Sequence, residues 1–364
     1  MIKVLHVLSD SNIGGAGTYV ATCLEYCDKT KVEQTVLLPT NSNAARIMKK
    51  SGAKIIFADF TPDKSLDLKA IPLMRKIIQQ GKYDIVHTHG CVSARIAATG
   101  LSKTVFTKHT LSDAGYGIKG LINKAAYRAV GGFAIAVSDA AFSNLVELGF
   151  NRKKIYTVKN GVGDIGIANC DKKAKAKASF GIDTTKTVVG CVARFSAEKD
   201  YETLLFAAKK ICDANDKIAF LLCGEGPLLN DMKSLAKKLG IYSKCVFAGT
   251  VFDPERAYHA MDIYLITSKY ESFGLSVVES WSAGVPTVVS SADGFKEIAN
   301  DDCAVICPVG STSEFANAVL GLVNDKQKSS ELCENARDKF MKNYSAEAFA
   351  KNIVNVYKEI KKSL

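Results

Sequence analysis

No apolar stretch of this chain approaches the roughly 20 residues that a helix needs to span a bilayer, which argues against a transmembrane segment. The first residues, MIKVLHVLSD, lack the cleavage site of a signal peptide and run straight into a strand pattern. A cytoplasmic protein is expected, or one at most peripheral to a membrane. Nucleic-acid signatures are missing too: no RNP pattern, helix-turn-helix or zinc finger accompanies the positive charge, so nucleic acid is the weakest candidate partner. Metal frameworks are also lacking. The pairs Cys23/Cys27 and Cys303/Cys307 have helix-like spacing, but no histidine or second pair completes a tetrahedral site. The eleven cysteines are odd in number and lie mostly inside apolar runs. They read as small, reduced core residues, not as a disulfide framework.

What is present suits two domains. With 364 residues and 47% hydrophobic content, the chain can bury two cores and leaves little room for long disordered tracts. The net charge of +11 is uneven: residues 1–170 hold 22 Lys+Arg against 12 Asp+Glu, the remainder 26 against 25. The basic surface therefore belongs to the N-terminal half, where an anionic membrane or a phosphorylated substrate is compatible with it.

Strand-like runs rich in Val and Ile alternate with helical stretches from the first residue. In the first half the predicted strands are Lys3 to Leu8, Gln34 to Pro39, Lys54 to Ala58, Asp84 to Thr88, Thr104 to Lys108, Phe133 to Val137 and Ile155 to Val158. The run Asp171 to Ser179 reads as a solvated helix near a linker. The alternation restarts with Thr187 to Ala193, Ile218 to Cys223, Cys245 to Gly249, Ile263 to Thr267 and Pro286 to Ser290, giving five or six strands. This is the pattern of an α/β chain with two Rossmann-like domains facing across a cleft, ligands being expected at the carboxyl ends of the strands. The boundaries fall at 1–165 and 166–343. A last helix over 344–364 carries Phe349, Ile353, Val356, Tyr357 and Ile360 on one face.

Residues 268–290, SKYESFGLSVVESWSAGVPTVVS, set Glu271 and Glu279 eight positions apart around a glycine turn and a helix predicted over Leu275 to Ala283. The unpaired amides of the first helical turn can hold a phosphate, and Glu279, one turn in, can accept from sugar or ribose hydroxyls. Two glutamates near a helix start are also what the macrodipole alone favours. Two cations join them. Arg194 ends a strand and Lys199 precedes a helix in VARFSAEKDYETLL, and such a pair suits a diphosphate. The turn LCGEGPL puts Pro227 at an expected first helical position. The glycine turn SDSNIGGAGTY follows the first strand, but its spacing fails as a dinucleotide fingerprint. Among the histidines, His6 reads as a core residue, while His87 and His89 either approach the expected cleft or hydrogen-bond locally. Ser138 and Asp139 read as the cap and first-turn acid of a helix.

The run from Ser268 to Ser290 closely resembles the E-x7-E signature of the retaining family 4 glycosyltransferases of GT-B fold. The glycine loop, the Arg194/Lys199 pair and the GEGP turn follow that family's order. The resemblance implies donor-sugar contact by Glu271, ribose binding by Glu279, and sugar and diphosphate contacts from Phe273, Gly274 and Leu275. It further implies a phosphate clamp of Arg194 and Lys199. Gly15 and Ala16 would lie near the donor diphosphate and the acceptor, and Glu225 on the nucleotide side. Backbone near Val251, in FAGTVF, would hold the base. His109 would approach the donor sugar, giving a catalytic set of His109, Arg194, Lys199 and Glu271. Two departures stand out: Thr110 follows His109 where many relatives carry aspartate, the next acid being Asp113, and Gly163 separates the NGV turn from Asp164.

By this resemblance the expected reaction is retaining, metal-independent glycosyl transfer from a nucleoside-diphosphate sugar, UDP-sugar favoured on family frequency. No cofactor is expected beyond that co-substrate, and the absent Asp-x-Asp motif agrees with this. The acceptor is expected to be a glycan or lipid-linked, in cell-surface polysaccharide or glycolipid synthesis. The stretch Gly117 to Val130 offers Lys119, Lys124 and Arg128 beside apolar residues, either for an anionic membrane or as an ordinary packing helix. A nucleotide-sugar epimerase and a non-catalytic sugar-nucleotide binding subunit are the alternatives. The C-terminal helix is expected to cross back to the N-terminal domain.

Overall fold

A computed structural model describes residues 1–10, 14–110 and 131–363. The chain divides into two compact units, Met1–Gly161 with Ala346–Leu364, and Val162–Ser345. The first unit holds a seven-stranded sheet: β1 (Ile2–Leu8), β2 (Val32–Pro39), β3 (Lys54–Ala58), β4 (Ile85–His89), β5 (Lys103–Lys108), β6 (Phe133–Ala136) and β7 (Ile155–Thr157). Their order is β3-β2-β1-β4-β5-β6-β7, and every pair is parallel. All five residues of β4 are buried, so both faces of the sheet are covered, as a parallel sheet requires.

Side-chain alternation gives those two faces different chemistry. Leu5, Val7 and Val86 pack with Met74 and Ile78 of helix Ile71–Gly81 and with Ala94 and Ala97 of helix Val92–Ala97. The intervening residues His6, His87 and His89 face the other way, against Tyr19 of helix Gly15–Tyr26 and Tyr357 of the C-terminal helix Ala346–Lys362. The C-terminal helix buries Phe349, Ile353, Val356, Tyr357 and Ile360, each contributing about 1.5–3 kcal/mol when fully removed from water. It is tied down at its ends: the Cys27 thiol donates to the Ala350 carbonyl at 3.8 Å, and Lys361 pairs with Asp84 at 3.0 Å.

The second unit holds six parallel strands in the order β10-β9-β8-β11-β12-β13. They are β8 (Thr187–Val192), β9 (Ile218–Cys223), β10 (Cys245–Gly249), β11 (Ile263–Ile266), β12 (Thr287–Ser290) and β13 (Val305–Cys307). The three-residue edge strand β13 was not among the strands placed from sequence. Trp281, Phe295 and Phe340 are fully buried in this unit. Arg337 grips both carboxylate oxygens of Asp164 at 2.6 Å, so the aspartate displaced by Gly163 has a structural partner. That hydrogen bond, ahead of other effects, holds the Asp164 carboxyl below its ordinary range. In both sheets the strand order reverses beside the unit's first strand, between β1 and β4 and between β8 and β11. Such switch points gather the loops leaving the carboxyl ends of those strands, where α/β sheets take ligands. Among the described residues, no helix is long and apolar enough to cross a membrane.

Candidate functional site

In the second unit, β11 leads into the turn ending at Gly274 and then helix Leu275–Ser282. Gly274 stands at φ 101°, where a side chain is strained. A Cβ there would meet the Phe295 ring at 2.6 Å. As N-cap it offers no side chain to the helix start, so the amides of Leu275 and Ser276 have no side-chain cap. Phe273 is buried edge-on to Tyr344, 5.7 Å between centroids, while Leu275 is half-buried. Gly294 fixes the turn from below. Its N–H donates to the Glu271 carbonyl at 3.1 Å, and a Cβ on it would lie 2.5 Å from that oxygen.

Glu279 projects from the first turns of the same helix. The Tyr258 hydroxyl donates to its Oε2 at 2.7 Å. Burial nevertheless dominates and pushes the carboxyl up to about 7. A group that hydrogen-bonds the anion from a hydroxyl-bearing ligand would reverse part of that shift.

The loops after β8, β9 and β10 are laced together by backbone. Phe195 N–H donates to the Glu225 carbonyl and Ala193 N–H to the Cys223 carbonyl, both at 3.0 Å, and Gly224 N–H to the Gly249 carbonyl at 2.7 Å. Gly226 must be glycine: a Cβ would lie 2.3 Å from the Phe195 carbonyl oxygen, at φ 159°. Leu228 N–H donates to that carbonyl at 3.0 Å. This bond keeps the segment in a turn, so the helix starts at Leu229 and Pro227 lies outside it, a correction to the expected first helical position. The Glu225 side chain is exposed and Val251 is half-buried beyond β10.

Arg194 is exposed just past β8, and no hydrogen bond or ion pair engages its guanidinium among the described residues. Lys199 closes a short 3-10 turn whose carbonyl, with that of Asp200, accepts from Thr267 Oγ1 at 3.2 and 2.9 Å. Thr267 directly follows β11, so this bond draws the β8 loop onto the β11 loop. There the Lys199 ammonium pairs with Glu271 Oε2, and both side chains are mostly covered. Residues 72 positions apart are thus joined in one charged pair at the switch point.

In the first unit, Gly15 and Ala16 open the helix after β1, again without a side-chain cap, and Gly15 is exposed. His109 follows β5. Its Nε2 lies 3.0 Å from His89 Nδ1, and Tyr19 packs edge-on against its ring at 5.0 Å. His89 Nε2 lies 3.1 Å from His6 Nδ1, and His6 Nε2 lies 3.0 Å from Gln34 Oε1. His87 meets the hydroxyls of Tyr357 and Thr107, each at 2.7 Å. Burial pushes His109 down to about 3 and His6 to about 4, so these rings are neutral. His87 and His89 therefore hydrogen-bond locally and His6 is a core residue. His6, His87 and His89 form a group that could hold a metal ion, with ligand atoms within 4.8 Å of one another. Each of those nitrogens, however, already has a hydrogen-bond partner.

Residues 13–164 match the family described as Glycosyltransferase Family 4, and residues 172–339 match Glycosyl transferases group 1. The structure of Anabaena HepE in complex with UDP-glucose superposes with a TM-score of 0.83 over 99% of this chain and all of that one, at 19% identity. The chain is a glycosyltransferase of GT-B fold, related to both families. Two curated relatives are each 25% identical. One is the N-acetyl-alpha-D-glucosaminyl L-malate synthase of Bacillus anthracis, with 81% of this chain and 79% of the relative aligned. The other is the UDP-Gal:alpha-D-GlcNAc-diphosphoundecaprenol alpha-1,3-galactosyltransferase of Escherichia coli, with 80% and 79% aligned.

The glycosyltransferase carries site features that spacing alone did not reveal. Tyr258, 21 positions before Glu279, Gly294 beneath the Glu271 turn and Thr267 under Lys199 all act through contacts distant in sequence. The stretch 117–130 and Asp113 of the glycosyltransferase lie outside the described residues. Its eleven cysteines are free thiols, eight of them buried.

Proposed function

We propose that this glycosyltransferase moves a sugar, with retention of anomeric configuration and without a metal, from a nucleoside-diphosphate sugar to a glycan or lipid-linked acceptor. UDP-sugar is the favoured donor, and cell-surface polysaccharide or glycolipid synthesis the favoured setting. The observation that carries this reading is the Lys199–Glu271 pair beside the uncapped start of helix Leu275–Ser282. A diphosphate competes with Glu271 for Lys199. Its arrival gives the leaving group a cation and releases a carboxylate for sugar hydroxyls. Arg194, exposed on the neighbouring loop, adds a forked donor for phosphate. Together with the amides of Phe273, Gly274 and Leu275, these cations neutralise charge on the departing diphosphate, a task a divalent ion performs elsewhere.

Glu279 takes the ribose hydroxyls, and Glu225 and the backbone near Val251 serve the nucleotide side. His109, Gly15 and Ala16, all of the unit Met1–Gly161, are assigned to transfer by the family resemblance. In a front-face reaction the acceptor oxygen bonds to the anomeric carbon on the side from which the phosphate leaves. The acceptor's proton passes to a departing phosphate oxygen. HepE, solved with UDP-glucose, and the E. coli enzyme named for UDP-Gal and a diphosphoundecaprenol acceptor support this choice of donor and acceptor class.

Thermal-shift screening of UDP-, GDP- and ADP-sugars tests the donor, and the anomeric configuration of the product by NMR tests retention. Glu279→Ala is expected to weaken donor binding. Unchanged affinity of that variant for both the sugar nucleotide and its free nucleoside diphosphate would contradict the assignment.

A further inference from the structure

Gln34, on β2, has its orientation fixed by a contact outside the histidine group: its amide Nε2 donates to the Cys23 carbonyl at 2.9 Å. Turning the amide over would set two carbonyl oxygens against each other at that distance. Oε1 therefore faces His6, and His6 Nε2, 3.0 Å away, must be the donor. A neutral imidazole has one N–H and one lone pair, so His6 Nδ1 accepts. The nitrogen 3.1 Å from it, His89 Nε2, then carries a proton, and His89 Nδ1 accepts in turn. His109 Nε2, 3.0 Å from that lone pair, carries the next proton. The direction set at Gln34 passes through every ring because none can donate at both nitrogens.

Three features keep this chain intact. Register pairs Leu8 with His89 and His89 with Thr107, so β1, β4 and the end of β5 hold the rings in a row. Tyr19 packs against His89 and His109, with centroids at 5.4 and 5.0 Å. Burial disfavours the imidazolium forms that would break the donor order.

We propose that Gln34, His6 and His89 are positioning residues that lock His109 in the tautomer with its proton on Nε2 and its lone pair on Nδ1. The lock fixes which His109 nitrogen donates and which accepts, and its consequence for glycosyl transfer rests on the role proposed for His109 above.

The tautomers can be read directly by imidazole 15N NMR on the full chain, which has only five histidines. The expected wild-type spectrum shows His6, His89 and His109 protonated on Nε2 alone at neutral pH. A proton on Nδ1 of His109, or an imidazolium at His6 or His89, overturns the proposal even if no variant folds. Gln34→Met removes the fixed acceptor while nearly keeping volume. It is expected to give mixed tautomers at His109 and to lower kcat about tenfold, the worth of one hydrogen bond, with donor KM little changed. A His109 signal identical to wild type in Gln34→Met denies Gln34 its positioning role. Full activity of His109→Ala would strike the functional reading, while the wild-type spectrum still decides the chain's direction.

Discussion

At the scale of single residues, the ribose role proposed for Glu279 makes donor binding sensitive to pH. Its carboxyl sits at about 7 against 4.5 when free. Between those values the folded protein holds a proton that the unfolded chain has released, so this group's contribution to stability falls as pH rises through the window. In the proposed role, ribose hydroxyls favour the anion, so donor binding is expected to expel the proton. Affinity for a UDP-sugar, whose diphosphate diester does not titrate here, is expected to rise about tenfold from pH 6 to pH 8. Titration calorimetry at several pH values measures it. Glu279→Gln should flatten that profile and weaken binding at pH 8; a flat wild-type profile would dismiss Glu279 as the responsible group. Glu279 and Glu271 were visible in the sequence because eight positions around a glycine turn is a local relation. Tyr258, which donates to Glu279, was not, since only tertiary packing brings it there. The same holds for the histidine chain, whose members lie 20 and 83 positions apart.

At the scale of elements, the turn holding Glu271 depends on how closely helix Asp293–Ile298 approaches it. Gly294→Ala sets a Cβ against the Glu271 carbonyl oxygen at 2.5 Å and the Phe273 nitrogen at 2.8 Å. Both are backbone atoms, so the turn must shift, at a cost of roughly 1–3 kcal/mol. The melting temperature and the affinity for UDP-sugar should both drop. Gly321 is a matched contrast: it is exposed in helix Thr312–Asn324 with open space where a Cβ would go. Alanine there should stabilise by about 0.5–1 kcal/mol and leave binding alone. Gly294→Ala with wild-type melting and binding would show that the approach is not limiting. Most strands were legible because Val- and Ile-rich runs buried on both faces differ sharply from the helices between them. β13 escaped because three residues, Val305–Cys307, carry too little pattern. The helix after Pro227 starts late because Leu228 is held by a carbonyl 33 positions away, which local helix signals cannot foresee.

At the scale of the molecule, the two units can be watched separately. The single tryptophan, Trp281, is fully buried in the unit Val162–Ser345, which also holds Arg194, Lys199, Glu271 and Glu279. The histidine chain belongs to the other unit. A ligand bound only by the native state stabilises what it binds by about 2.7 kcal/mol at a hundred times its Kd. UDP-sugar at that excess is therefore expected to move the urea transition followed by Trp281 fluorescence to higher denaturant. Glu279→Ala, read at the same donor concentration, should lose much of the shift. Gln34→Met should keep it, because its effect is on the tautomer of His109 and not on the cations proposed to hold the diphosphate. A Trp281 transition that ignores saturating donor would remove the diphosphate from Lys199 and Arg194. A shift retained by Glu279→Ala would instead leave the cations in place and take the ribose away from the second glutamate.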